Sequence, residues 1–329
     1  MQNKNLPRIL LLVAIAALLV LLPLFAGQYT ITTFIRILYF GFLALSIGFL
    51  IGQGGMVSFT QTAFFGFTGY AIGLLGLERG LAFPLPELLG LGGVLVVALL
   101  LGMVAVRAYK IVFLMITLAF GQIFWAFAQQ NTSLLHGWAG IRGIRPPVLL
   151  GIDFYNTANF YWGALVLFLL GLYLLWRITK SPFGLVLNGT RESPRRMAAL
   201  GYPVYWIRVV AFLIAAVYAG LGGILAAYNT GIITPTTIQL SRTIWVLLMV
   251  ILGGASYFWG PVVGTIVVVW MDVLISGITG RFNTIIGIIF VVTVLFSPNG
   301  LLGLLDDIRR GEKFPKIRKF LFPKAFPGK

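Results

Sequence analysis

The chain has 329 residues, of which 59% are hydrophobic and 10% charged, and its 24 Lys and Arg against 8 Asp and Glu give a net charge of +16. A soluble domain carries about 25% charged residues, so this composition excludes a soluble fold of that length, whose surface would lack polar cover. Cysteine is absent, which excludes disulfides, thiolate chemistry and Cys-ligated metal, and the one histidine, His136, cannot by itself make a transition-metal site.

Apolar runs near 20 residues long recur along the chain, each able to cross about 30 Å of hydrocarbon at about 1.5 Å per residue. The expectation is an all-α, polytopic integral membrane protein of about ten transmembrane helices, or eight if the short ones are re-entrant. The first span is 9–26; Lys4 and Arg8 precede it and no A-x-A-like cleavage site follows, so it reads as a retained span rather than a signal peptide. The second is 35–51. A glycine-rich polar break, GQGGMVSFTQT at 52–62, leads into a third span at 63–77. The fourth and fifth, 88–106 and 111–129, precede a long connection at 130–159 that carries His136, Trp138, Arg142 and Arg145, and the sixth is 160–176.

The stretch 180–208 then interrupts the apolar pattern. It carries Lys180, Arg191, Arg195, Arg196 and Arg208 against a single acid, Glu192, and it suits a surface gripped by another molecule better than a core. The seventh and eighth spans are 207–228 and 244–252. A second break, GGASYFWG at 253–260, precedes the ninth at 261–275, and the tenth is 283–296. The tail 306–329 is basic and Pro-interrupted, with no spanning run. This organises the chain as one membrane domain, 1–305, with a loop at about 180–206, and the tail.

Ten spans put both termini on one side. Eighteen of the 24 basic residues then fall on that side, in loops and termini, and the other six are Arg36, Arg79, Arg142, Arg145, Arg242 and Arg281. The asymmetry follows the positive-inside rule, places both termini and the 180–208 insertion in the cytoplasm, and accounts for the basic composition without nucleic acid.

Catalytic chemistry has no foothold. No carboxylate pair is spaced for acid–base work, and no charge sits mid-span as a proton-coupled carrier needs. Asp272, the acid nearest a span centre, is either a solvated helix end or a partner of Arg281. The segment GLVLNGTR at 184–191 has the glycine spacing of a phosphate loop but lacks its Lys and follows no strand. The chain reads as neither an enzyme nor a cofactor binder, and any ATP must be held by another chain.

The two breaks carry more information. Glycine there serves close helix approach, through the small-xxx-small pairs Gly48/Gly52, Gly69/Gly73 and Gly260/Gly264, or an unwound backbone beside a cavity. The candidates to line a polar path are Gln53, Ser58, Gln61 and Thr62, with Thr117, Gln122 and Ser256. Within the insertion, 193–200 reads as a helix, with Ser193 as its cap, Pro194 in its first turn and Gly201 as its stop. Arg195 and Arg196 lie at the positive end of that helix, where cations do not favour it; they point to a partner, to anionic headgroups, or to a solvated loop.

Several motifs together resemble one family. GQGGMVSFTQTAFFGFTGY at 52–70, TLAFG at 117–121, SPFG at 181–184 with Arg191-Glu192 and AALG at 198–201, LMVILGG at 248–254 with WGPVVG at 259–264, and FSPNGLLG at 296–303 follow in order the pattern of branched-chain amino acid ABC permeases of the LivM type. The resemblance covers about 35–305. It implies a permease subunit of an ABC importer in a bacterial or archaeal plasma (inner) membrane. Its implied partners are a second, homologous permease, two ATPase subunits at the cytoplasmic face and an external substrate-binding protein. It further implies that the insertion is the ATPase coupling loop, with Arg191, Glu192, Ser193, Arg195, Arg196, Ala199, Leu200 and Gly201 as its contact residues. The sequence departs from the pattern at Thr60-Gln61, where Gly-His is usual, at 135–145 and at Leu185. Those differences bear on the substrate: branched-chain amino acids are the first reading, urea or a short amide the alternative. A stand-alone secondary carrier is the alternative of a different class.

Overall fold

A computed structural model describes residues 23, 25–149, 151–276, 284, 287–288, 291 and 300–309. Most of the predicted first and tenth spans and most of the basic tail lie outside the described residues. Each of the eight spans predicted between them is helical. These are α1 (Gln28–Gly54), α2 (Gln61–Ala71) continued by a π-helix (Ile72–Glu78), α3 (Leu85–Ala105), α4 (Lys110–Gln130), α5 (Thr157–Lys180), α8 (Val204–Thr230), α9 (Leu240–Gly253) and α10 (Gly260–Ser276). Two short helices, α6 (Pro182–Glu192) and α7 (Pro194–Ala199), form the insertion between α5 and α8, and α11 (Gly300–Arg309) packs on α9 and α10. Among the described residues, six segments are long and apolar enough to cross a bilayer: α1, α3, α4, α5, α8 and Pro235–Gly253, which contains α9.

The helices run end to end between two poles. At one lies the insertion. At the other lies the connection 131–156, in which β2 (Val148–Leu149) pairs antiparallel with β3 (Ile152–Asp153), while β1 (Ile141–Arg142) pairs antiparallel with β4 (Ile232–Ile233), which follows α8 (Val204–Thr230). The 24 residues of α5 join the two poles over about 36 Å.

Helices α1 and α8 form the centre. Both are largely buried, whereas α3 and α4 expose apolar side chains over most of their length, Leu88, Leu95, Ile111 and Ile123 among them. Helices apolar on every side suit lipid rather than water. Because hydrocarbon gives no hydrophobic gain for helix pairing, close contact must come from shape, which small residues provide. Gly220, Gly222 and Gly223 make one such face of α8. A Cβ on Gly222 would lie 2.8 Å from the Tyr39 carbonyl oxygen of α1, and one on Gly223 would collide with the Phe65 carbonyl of α2. The three pairs singled out in the sequence behave in the same way: Gly48 meets Pro261, Gly52 meets Ala255, Gly69 meets Ile233, Gly73 meets Ile141, and Gly260 and Gly264 press on the backbone of α9 and the turn after it.

Substituting Gly223 therefore has no room in which to relax. Gly223→Val is expected to lower stability by at least about 3 kcal/mol, the upper range for an overpacked core, and a thermal-unfolding scan of the detergent-solubilised protein reads it as an earlier midpoint.

Candidate functional site

The insertion is two helices rather than the single one expected. Helix α6 starts on Pro182 and buries Gly184, Leu187 and Thr190, at a spacing of three residues, against the bundle. Helix α7 follows through Ser193, which is extended (φ −152°) and whose side chain accepts from the Arg196 amide at 3.4 Å. Gly201, at φ +86°, ends it. The Tyr202 amide donates to Met197 O and the Gly201 amide to Ala198 O, the paired bonds of a Schellman stop. The expected cap, first-turn proline and stop are therefore all in place. Arg195, Arg196 and Ala199 are exposed, as is Leu200 at 67%. Helix α7 and its C-cap thus present two exposed arginines and one exposed leucine at the end of the insertion.

One residue of the insertion belongs elsewhere. Arg208 is buried at 4% exposure, inside the first turns of α8. Its Nη1 donates to Val106 O at 2.7 Å, its Nη2 to Ala108 O at 3.0 Å, and its guanidinium sits 4.2 Å from the Tyr109 ring centre. It satisfies the carbonyls freed where α3 ends, a structural duty that a count of loop charges cannot reveal.

Both glycine-rich breaks are shorter than predicted. Helix α1 runs on to Gly54, stopped by Gly55 at φ +63°, and α2 starts at Gln61, leaving 55–60; the second break is 254–259. The fold brings the two together, since Gly52 abuts Ala255 and Gly48 abuts Pro261. The gap between them, lined by Gln53, Ala255, Tyr257 and Phe258, is about 10 Å³, hardly room for one water. Helix α9, at 14 residues, rises about 21 Å and reaches the second break as the end of the 19-residue segment Pro235–Gly253. The insertion also reaches this junction: Arg191 donates through Nη1 to the Gly52 carbonyl, and its Cγ lies 2.8 Å from where a Cβ on Gly55 would be.

Of the candidate path residues, the fold gathers three. Ser58, Gln61 and Thr117 are buried together with Ser46 and Thr60. The Ser46 hydroxyl lies 2.8 Å from Gln61 Oε1 and 2.7 Å from Ala215 O, and Gln61 Nε2 lies 3.5 Å from Ser58 Oγ. Thr117 Oγ1 accepts from the Phe59 amide at 3.2 Å, and Thr60 Oγ1 donates to Thr117 O at 3.1 Å. Thr62 is separate, its hydroxyl 2.5 Å from that of Thr243. Gln53 and Gln122 are half-buried and Ser256 is exposed. The seven are therefore not gathered in one place within this chain; Ser58, Gln61 and Thr117 hold the first break in shape, and Thr62 ties α2 to α9.

At the pole opposite the insertion, Asp272 of α10 pairs with Arg36, nine residues into α1, rather than ending in solvent; Arg281, its other predicted partner, lies outside the described residues. Arg242 of α9 shares the site. The guanidinium carbons of Arg36 and Arg242 lie 5.7 and 5.5 Å from the Trp245 ring centre. Two cations and one acid thus clamp α1, α9 and α10. The signal in the sequence was a lone Arg at the start of the second span, which the topology count had grouped with the six basic residues off the cytoplasmic side. Among the described residues no group of His, Asp and Glu is arranged to hold a metal, and His136 Nδ1 instead lies 3.5 Å from Glu78 Oε1.

A many-span bundle with a polar helical hairpin gripping a glycine-rich break has a counterpart among known sequences. The family model described as "Branched-chain amino acid transport system / permease component" matches residues 29–297. The chain belongs to that permease family. It is similar to the high-affinity branched-chain amino acid transport system permease protein LivM of Escherichia coli, 28% identical over 62% of this chain and 53% of the relative. It is also similar to the probable LivM of Methanocaldococcus jannaschii, 24% identical over 56% of this chain and 58% of the relative. The autoinducer 2 import system permease protein LsrC of Salmonella typhimurium is 26% identical over 56% of this chain and 52% of the relative. This permease thus spans between half and three-fifths of the length of these relatives. No solved structure matches it.

The Ser46–Gln61 contact gives a direct test of the packed permease. Ser46→Ala leaves the buried Gln61 amide short of a partner, at a cost of about 1–3 kcal/mol; adding Gln61→Leu is expected to restore part of that loss, read from the unfolding midpoints of the two single variants and the double.

Proposed function

We propose that this permease is the membrane subunit of an ABC importer for branched-chain amino acids. A second, homologous permease completes the pathway, two ATPase subunits act from the cytoplasmic face, and an external binding protein delivers the solute. The observation that carries the reading is the Arg191–Gly52 bond. It joins the helices offered to the ATPase directly to the break where α1 stops, and that break touches the second one through Ala255. A force applied at α7 thereby reaches both unwound segments without crossing a flexible loop. Leu200, Arg195 and Arg196 supply the docking surface, Arg191 the transmission. A solute path at the junction with the second permease is lined, on this side, by groups the fold leaves accessible, Gln53, Gln122 and Ser256, while Ser58, Gln61, Thr62 and Thr117 fix the backbone behind them.

A second reading, import of a different small polar solute, is favoured by the relatives named for autoinducer 2. Binding of leucine, isoleucine and valine by the partner binding protein separates the two: no binding of any of them removes the branched-chain reading. A stand-alone carrier is separated by reconstitution, since active uptake from this chain alone would sink the importer reading.

The coupling role has its own test in proteoliposomes holding the whole importer. Arg191→Ala with Glu192→Ala is expected to leave ATP hydrolysis running while uptake falls at least about tenfold, a loss on the scale of a charged hydrogen bond. Gly201→Trp adds bulk where no atom lies within 4 Å of a Cβ, at a left-handed residue, and is expected to weaken ATPase retention on purification. Unchanged uptake in both variants would count against the role.

A further inference from the structure

At the pole away from the insertion, a cleft of about 550 Å³ opens between the π-helix, the start of α3, the last turn of α8 and the connection after α4. That volume lies inside the range of roughly 300–1,000 Å³ that small-molecule sites occupy. Its walls are mainly apolar, with Ile72, Leu77, Phe83 and Ile144 among them. Two side chains of opposite charge share it, Glu87 and Arg145. Glu87 is buried, with 7% of its surface exposed, whereas Arg145 is exposed. They do not pair with each other; the ion pairs among the described residues are Arg36–Asp272 and His136–Glu78. Tyr228 donates to Glu87 Oε1. The second oxygen, Oε2, is buried and has no hydrogen-bond partner.

Three features set this cleft apart from packing left imperfect. An acid in the first turn of α3 suits the helix dipole, but an exposed acid would gain the same without desolvation. A buried oxygen lacking a donor costs about 1–3 kcal/mol, more when charged, and a donor arriving through the cleft would remove that cost. The backbone leading into Arg145 is also held: the Gly143 and Ile144 amides donate to Gly231 O at 2.9 and 3.1 Å, which ties that segment to the end of α8. Finally, one wall is a seven-residue π-helix, a rare conformation that recurs at functional sites.

We infer that the cleft binds the zwitterionic head of an α-amino acid, its ammonium on Glu87 and its carboxylate on Arg145, with the apolar walls taking an aliphatic side chain. The inference rests on the import reading and adds to it a solute site within this chain, away from the path between permeases. An ammonium brings several donors to the carboxylate, and the guanidinium fork matches a carboxylate in two bonds. A ligand without an ammonium leaves the buried Glu87 Oε2 without a donor, and one without a carboxylate gives up the two-bond pairing with the Arg145 fork.

The test uses the complete importer without its binding protein, in nanodiscs of phosphatidylcholine and phosphatidylglycerol, with radiolabelled L-leucine at equilibrium. Glu87→Gln and Arg145→Gln are each expected to weaken binding at least about tenfold, and 4-methylpentanoate, which lacks the ammonium, and 3-methylbutylamine, which lacks the carboxylate, to compete at least about tenfold less well than leucine. Asp153→Asn, outside the cleft, leaves binding as it is. Arg145 is exposed, so its variant serves as the test even where Glu87→Gln fails to assemble. Wild-type leucine binding in both variants overturns the proposal. So does leucine binding that vanishes when phosphatidylethanolamine is added to the nanodisc, which would assign the cleft to a lipid headgroup. Uptake separates this from the import reading. Leucine uptake with an unchanged KM in Arg145→Gln sinks the cleft and leaves import standing. Wild-type failure to take up leucine, isoleucine or valine, with another amino acid bound in the cleft and lost in both variants, keeps the cleft and sinks the branched-chain assignment.

Discussion

Hydrocarbon offers no hydrogen bonds, so every backbone group that leaves a helix must find its partner inside the protein. Much of this permease is arranged around that requirement. Where α1 ends, Arg191 takes the Gly52 carbonyl. In the stretch before α2, Thr117 takes the Phe59 amide while Thr60 takes the Thr117 carbonyl. Where α3 ends, Arg208 holds two carbonyls at once. These side chains come from distant parts of the chain, and each pins an irregular segment to a regular one. The polar residues in an otherwise apolar sequence are concentrated at such points because only there does a side-chain donor or acceptor offset the cost of its own burial.

The same requirement links the insertion to the two breaks. The insertion is anchored by a buried stripe of α6 and by Arg191, so α7 rests on the bundle rather than hanging from it. The two breaks meet where Gly52 abuts Ala255, with a gap of only about 10 Å³ beside the contact.

What could be read from the sequence follows from how local each signal is. Helical spans were visible because hydrophobicity accumulates over about 20 residues, and the α7 cap and stop because Ser193, Pro194 and Gly201 act within one turn of themselves. The small-residue pairs were legible as close-approach sites, but not what they approach; Pro261 against Gly48 requires the fold. Helix α6 was missed because its apolar face is only three residues, Gly184, Leu187 and Thr190, and one of those is polar. The partners of Arg208, Arg36 and Asp272 were hidden for another reason: each pairs across a hundred residues or more, beyond any periodic pattern. Ser58, Gln61 and Thr117 looked like a solute path because polarity in an apolar chain is ambiguous between serving a ligand and serving the backbone, and their burial favours the backbone.

Helix α8 carries Arg208 near one end and Tyr228 near the other, separated by about 30 Å of unbroken helix. The first grips the turn after α3, and the second grips Glu87 at the start of the same α3. The two helices are thus laced at both ends, like the rails of a ladder with its top and bottom rungs in place. Such a frame resists shear and favours tilting as a unit. By thermodynamic reciprocity, whatever tilt favours an occupant at one end must be favoured by that occupant in equal measure at the other.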